Sequence, residues 1–200
     1  MHFFSLFFIP LAYASVQIVT ITATAPPAPT SSQYTSDAAF RSAALQSHNL
    51  YRHQHNASTL VWNSSLATSS AAWSAACHWG HSQNRWYGEN LAAGFSNVSD
   101  AVEAWAVESA LYSYSHPGFS EATGHFTQVV WRNTTSVGCG RANCKAAGIV
   151  PGWYLTCRYW PAGNVAGEYV DNVRPSISAA GRVLPSVMVL VAGVLVACIL

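Results

Sequence analysis

The apolar residues of this 200-residue chain are massed at its two ends, and that confines the foldable part to the middle. Half of the residues are hydrophobic and only 8% are charged, a composition that alone suggests a membrane protein. Between the ends, however, lies an ordinary globular sequence rich in Ala, Ser, Asn and aromatics, long enough for one domain. Residues 1–14 hold an apolar core, Phe3 to Leu11, followed by Ala12-Tyr13-Ala14, the small-x-small spacing of a cleaved secretory signal. Val187 to Leu200 is a second uncharged run, fourteen residues long. That is short of the ~20 residues of a spanning helix. Small residues around Ser176 to Gly181, a spacer with Arg182 and Pro185, and this tail instead fit a glycolipid-anchor signal. The expectation is a spacer and attachment region over 174–186, attachment at Ser178, and removal of 187–200.

A secreted chain gives its cysteines and asparagines a definite reading. Four sequons begin at Asn56, Asn63, Asn97 and Asn133, all candidates for glycosylation. Cys198 lies in the expected tail, which leaves Cys77, Cys139, Cys144 and Cys157 in an oxidising compartment. Two disulfides are expected, and four cysteines allow three pairings. A cysteine zinc site is the rival, but no Cys-x2-Cys pair is present. Nine Lys+Arg stand against eight Asp+Glu, with no basic run to neutralise a row of phosphates, so nucleic acid is excluded as the expected partner.

Residues 15–36 are expected to be a linker, Pro/Ser/Thr-rich over 22–36, ahead of a domain spanning 37–173. Ser36 or Thr35 caps a helix to about Gln54, with Phe40, Ala44, Leu45 and His48 at helical spacing. His48-Asn49-x-x-Arg52 reads as a hydrogen-bonded helix end. Asn63 caps a second helix, expected to reach about Trp79, with Leu66, Trp73 and Cys77 along one face. His78 and His81 follow at i and i+3, a spacing that can ligate a metal and usually does not. Tyr87-Gly88-Glu89-Asn90-Leu91 reads as a turn. A third helix runs from Asn97 or Ser99 to about Tyr112, with Trp105, Glu108 and Tyr112 sharing a face. A Glu108 buried beside two aromatics needs a partner.

Residues 113–123 form a loop whose Tyr114 and Phe119 either anchor it or stand exposed. The stretch Gly124-His125-Phe126-Thr127-Gln128-Val129-Val130-Trp131 sets an imidazole before an apolar run and is compatible with a short helix or a strand. A histidine at such a core edge is ordinarily a hydrogen-bonded structural one. Strands are expected over 136–141 and 152–159, the second with Trp153, Leu155, Cys157 and Tyr159 on one side. Helices first and strands later indicate an α+β domain.

Four of these segments together resemble one family. His48-Asn49-x-x-Arg52, Tyr87-Gly88-Glu89-Asn90, the Gly124 to Trp131 stretch, and Tyr154-Leu155-Thr156-Cys157-Arg158-Tyr159-Trp160-Pro161-Ala162-Gly163-Asn164 match the CAP superfamily in order and spacing. This is the group of cysteine-rich secretory, antigen 5 and pathogenesis-related class 1 proteins. Pro117-Gly118-Phe119-Ser120 and Gly167-Glu168 are similar to its fungal secreted, sterol-binding Pry branch. The resemblance implies a three-layer α-β-α sandwich and a cleft formed by His81, Glu89, Glu108 and His125, able in relatives to bind Zn2+. It also implies the pairings Cys77–Cys144 and Cys139–Cys157. Other members carry a third bridge where this chain has Tyr87 and Trp160, so both of its partners are absent together.

The resemblance further implies a secreted or surface-anchored protein that binds and exports sterols or related small hydrophobic molecules. Tyr112, Tyr114, Pro117 and Phe119 would contact the ligand, and the glycolipid would attach the protein to membrane or wall. The sequence supplies no catalytic residue with a motif of its own, so the expectation is a binding protein. The alternatives are a metal-dependent hydrolase using the His/Glu cleft and a surface module in wall organisation or host contact.

Overall fold

The structure is a computed structural model, and it describes residues 31–148 and 150–177. The expected signal at 1–14, residues 15–30 of the linker, Ser178 and the tail at 187–200 lie outside the described residues. Six α-helices are formed among them: α1 (Ser32–Thr35), α2 (Asp37–Gln54), α3 (Ser64–Ala75), α4 (Val98–Ala106), α5 (Gly124–Val129) and α6 (Tyr169–Asn172). Four strands, β1 (Val61–Trp62), β2 (Gly88–Ala93), β3 (Ser136–Asn143) and β4 (Trp153–Trp160), join in the order β1-β3-β4-β2. The β1–β3 pair is parallel and the other two are antiparallel. Helix α3 covers one face of the sheet, while α2, α4 and α5 pack together on the other. This is the α+β, three-layer α-β-α sandwich that the resemblance implies.

Periodicity accounts for α2. Phe40, Ala44, His48 and Arg52 recur every four residues and are all buried. Two of them are polar, and the fold satisfies both. His48 Nδ1 lies 2.7 Å from Ala44 O and its Nε2 2.7 Å from Tyr159 Oη. Burial lowers its pKa to about 4, so the ring is neutral. Arg52 donates to the carbonyls of Ser58, Val129, Trp131 and Thr134 at 2.7–3.0 Å. Asn49 brackets Leu60 through its backbone N–H and C=O. The helix end read from the sequence is therefore a clamp that holds the 58–60 and 129–134 stretches and strand β4.

Helix α3 differs from its expected form. It ends at Ala75, and its buried positions are Ser70 and Ser74 rather than the Leu66–Trp73–Cys77 stripe. Contact with the sheet is so close that a Cβ on Gly138 or Gly140 would fall onto the α3 backbone at Ala67 and Ala71. Only small side chains fit there, and the serine hydroxyls donate to Gly138 O and Gly140 O at 2.9 and 3.2 Å.

Three further expectations are corrected. The linker does not extend to residue 36: Ser31 caps α1, and Tyr34 is buried and stacked on Trp153 at 4.9 Å. Gly88 to Leu91 is not a turn but most of β2, paired residue for residue with β4 from Gly88↔Tyr159 to Ala93↔Tyr154. Its polar Glu89 and Asn90 hide the strand signal because both find partners inside. The third helix stops at Ala106 and tightens into a 3-10 segment, Val107–Leu111. The segment left open resolves as helix α5.

Both disulfides implied by the resemblance are formed. Cys139–Cys157 joins directly paired residues of β3 and β4. Cys77–Cys144 ties the turn after α3 to the end of β3.

Candidate functional site

The four predicted cleft residues come from four separate elements. The turn after α3 supplies His81, β2 supplies Glu89, the 3-10 segment after α4 supplies Glu108, and the first turn of α5 supplies His125. They meet as two imidazole–carboxylate pairs. His81 Nδ1 lies 3.0 Å from Glu89 Oε1, and His125 Nδ1 lies 2.7 Å from Glu108 Oε1.

Each carboxylate is held by more than its histidine. Glu89 also accepts from Ser82 N at 2.9 Å and from Arg158 Nε at 3.0 Å, the latter its direct cross-strand neighbour. Its side chain is only 6% exposed. Burial opposes ionisation of Glu89, but the bonds from His81, Ser82 and Arg158 outweigh it and bring the pKa down to about 2. Glu108 Oε2 accepts from His125 N and Phe126 N, both at 3.1 Å, and so satisfies two donors that the start of α5 leaves open. The 3-10 tightening after Ala106 gives Glu108 the partner that its aromatic neighbourhood demanded.

The rest of the frame positions His125. Its ring stacks on Trp105 at 6.0 Å, and its carbonyl accepts from Asn90 Nδ2 at 3.0 Å. Asn164, in a left-handed conformation at φ 57°, accepts from Thr127 Oγ1 at 2.6 Å and donates to Gly124 O at 2.9 Å. Together these bonds tie the turn after β4 to the start of α5.

A cleft of about 320 Å3 opens between the pairs, lined by His81, Glu89 and His125 and also by Phe119, Glu121 and Asn164. Glu108 stands behind His125. Among the described residues no three His, Cys, Asp or Glu side chains converge to hold a metal ion. A carboxylate at Nδ1 instead fixes each ring, with Nε2 as the remaining nitrogen, the arrangement in which a carboxylate orients a metal-binding histidine. The two Nε2 atoms, rather than all four side chains, are the donors a divalent ion would use.

Beside the cleft runs an apolar groove of about 220 Å3 between the 113–123 loop and the chain after β4, lined by Pro117, Phe119, Tyr169 and Val170. A smaller cavity of about 140 Å3 continues it under Tyr114 and Pro117. Of the four residues assigned to ligand contact, Tyr114, Pro117 and Phe119 reach these surfaces. Tyr112 does not: it is 8% exposed and packs against Phe126 and Tyr114, anchoring the loop from below. Sequence reasoning missed Glu121 and Asn164. Glu121 sat unremarked in a loop read for its aromatics. Asn164 was part of a quoted motif, and only its backbone conformation reveals its bracing role.

A three-layer sandwich with paired His/Glu side chains at one end of its sheet defines a class, and the family comparison agrees with it. Residues 45–159 match the cysteine-rich secretory protein family, CAP, and the chain belongs to that family. It is 43% identical over 141 residues to the protein PRY2 of Saccharomyces cerevisiae, covering 68% of this chain and 41% of PRY2. It is 40% identical over 149 residues to the fruiting body protein SC7 of Schizophyllum commune, covering 66% of this chain and 70% of SC7. The secreted protein PRY1 of Candida albicans is 39% identical over 145 residues, covering 70% and 33%. The chain therefore spans well under half the length of two of these relatives. Among solved structures, NaASP2 crystallised with Zn2+ superposes with a TM-score of 0.55 at 22% identity, covering 76% of this chain and 90% of that one.

Proposed function

We propose that this chain is an extracellular carrier that binds sterols or related small hydrophobic molecules under the 113–123 loop. The groove formed by Pro117, Phe119, Tyr169 and Val170 carries the reading, because it is apolar, concave and walled on one side by a loop. Burying a flat apolar ligand there is favourable at about 25 cal/mol per Å2. Relatives named as secreted proteins, with the small-x-small signal at 12–14, support the compartment. Saturable binding of radiolabelled cholesterol is expected. Phe119→Ala should weaken it about tenfold, the loss of one large apolar contact. Absence of saturable binding by the wild-type chain removes the proposal.

The cleft has a separate role in this reading. His81 and His125 would hold a Zn2+ ion through Nε2, with Glu89 and Glu108 as the orienting carboxylates. Such an ion supplies Lewis acidity when bound. Elemental analysis of His81→Ala and His125→Ala should then show loss of a metal that the wild-type protein retains. Attachment at Ser178 would place the carrier on the cell surface, and release from intact cells by a phosphatidylinositol-specific phospholipase checks that placement.

A further inference from the structure

The polar cleft and the apolar groove share a wall. Phe119 and Asn164 line both. Ligand sites usually enclose roughly 300–1,000 Å3. The groove, at about 220 Å3, encloses only part of such a ligand, whereas the groove joined to the 320 Å3 cleft falls within that range. Phe119 is the movable part of the wall. It is 64% exposed, and its ring rests on Gly124, where an added Cβ would lie 3.0 Å from the ring carbon Cε2. An exposed ring that rests on a glycine can turn over without disturbing the core.

The two halves differ in charge. Pro117, Tyr169 and Val170 give the groove an apolar lining. The cleft is lined by Glu89 and Glu121, with Glu108 behind His125. Arg158, the cation nearest Glu89, is already bonded to it. Glu121 is exposed and takes part in no hydrogen bond or ion pair among the described residues, so its charge faces the cleft uncompensated. A carboxylate or sulfate entering beside these acids meets like-charge repulsion, whereas a hydroxyl or an ester does not.

We propose that the joined site takes an amphiphile whose apolar body lies in the groove and whose uncharged polar head enters the His/Glu cleft, with Glu121 turning anionic heads away. The inference rests on the carrier reading above and adds the class of head group to it. Three ligands with one ring system test it: cholesterol, cholesteryl hemisuccinate and the methyl ester of that hemisuccinate. They are titrated in low-salt buffer into the purified, chelator-treated full chain. The methyl ester should bind within about threefold of cholesterol, and the hemisuccinate about tenfold more weakly than its methyl ester. In Glu121→Gln the ratio of hemisuccinate to methyl-ester affinity should rise about two- to fivefold, and added salt should narrow the wild-type gap. Equal binding of hemisuccinate and methyl ester, or an unchanged ratio in Glu121→Gln, overturns the head-group inference and leaves the carrier reading standing. No saturable binding of any of the three overturns both.

Discussion

Arg52 illustrates what a single buried side chain does in this fold. It is fully buried and has no carboxylate partner among the described residues, yet the carbonyls of Ser58, Val129, Trp131 and Thr134 accept from it. Desolvation lowers its pKa to about 10, so it stays charged at neutral pH. Replacing it with Met keeps some of the volume and strands four buried acceptors, each costly to leave unmade. Arg52→Met should destabilise the domain by about 3–5 kcal/mol, read from chemical denaturation. Loss of under about 1 kcal/mol would show that water replaces the guanidinium. Arg52 and His48 were legible as a polar helix end, since polar residues four apart on an apolar stripe are unusual. Their distant partners, 77 to 111 residues away, were not legible, because side-chain hydrogen bonds leave no periodic trace.

At the scale of elements, strands and helices were legible where one face is apolar and the other polar. Helix α2 was read in position and face from Phe40 and Ala44, and strand β4 to within one residue from the alternation of Trp153, Leu155, Cys157 and Tyr159, although β4 is buried on both faces. Strand β2 breaks the pattern, because Glu89 and Asn90 carry polar groups inward and pair them there. The α3 face breaks it in another way: alanine and serine pack where the sheet has glycine, so closeness of approach replaces bulk. Helix α1 was missed because four residues in a Pro/Ser/Thr-rich stretch carry no pattern, while its one aromatic, Tyr34, is bound across the domain. Besides stacking on Trp153, Tyr34 presents its carbonyl to Arg141 Nε at 2.9 Å. Tyr34→Ala should cost about 3 kcal/mol and lower the melting temperature by several degrees. A melting curve that superposes on wild type would return residues 31–36 to the linker.

The molecule as a whole should be sensitive to acid chiefly through His48 and Glu89, two groups with opposite charge types, with His55 shifted in the same direction as His48. His48 has a folded pKa of about 4, below its ordinary 6.5, so the unfolded chain takes up its proton first and stability falls as pH drops from about 6.5 to about 4. Glu89 has a folded pKa near 2 against an ordinary 4.5, so its contribution is present above about 4.5 and is lost as pH falls towards 2. The Glu89 share is about 2–3 kcal/mol after allowance for screening at the cleft mouth. Urea denaturation from neutrality downward should therefore show a decline that begins near pH 6.5 and continues below 4.5. His48→Leu should reduce the upper part, leaving the share of His55, whose burial also lowers its pKa, and the lower part unchanged. A stability profile flat from pH 6.5 to 4.5 in the wild-type chain would contradict the buried, neutral His48.

The sequence alone determined which residues could matter: the order and spacing of its motifs pointed to the family, and that resemblance in turn implied the four cleft side chains and the cysteine pairs. Tertiary structure decided what those residues are to one another. It turned a four-residue cluster into two His/Glu pairs, withdrew Tyr112 into the core, and brought to the cleft Glu121, which lies outside every motif, and Asn164, which ends one. The physical reason is that burial pattern and turn chemistry are written locally along the chain. Distances between elements, and with them the partner of each charge and the wall of each cavity, exist only after the layers have packed.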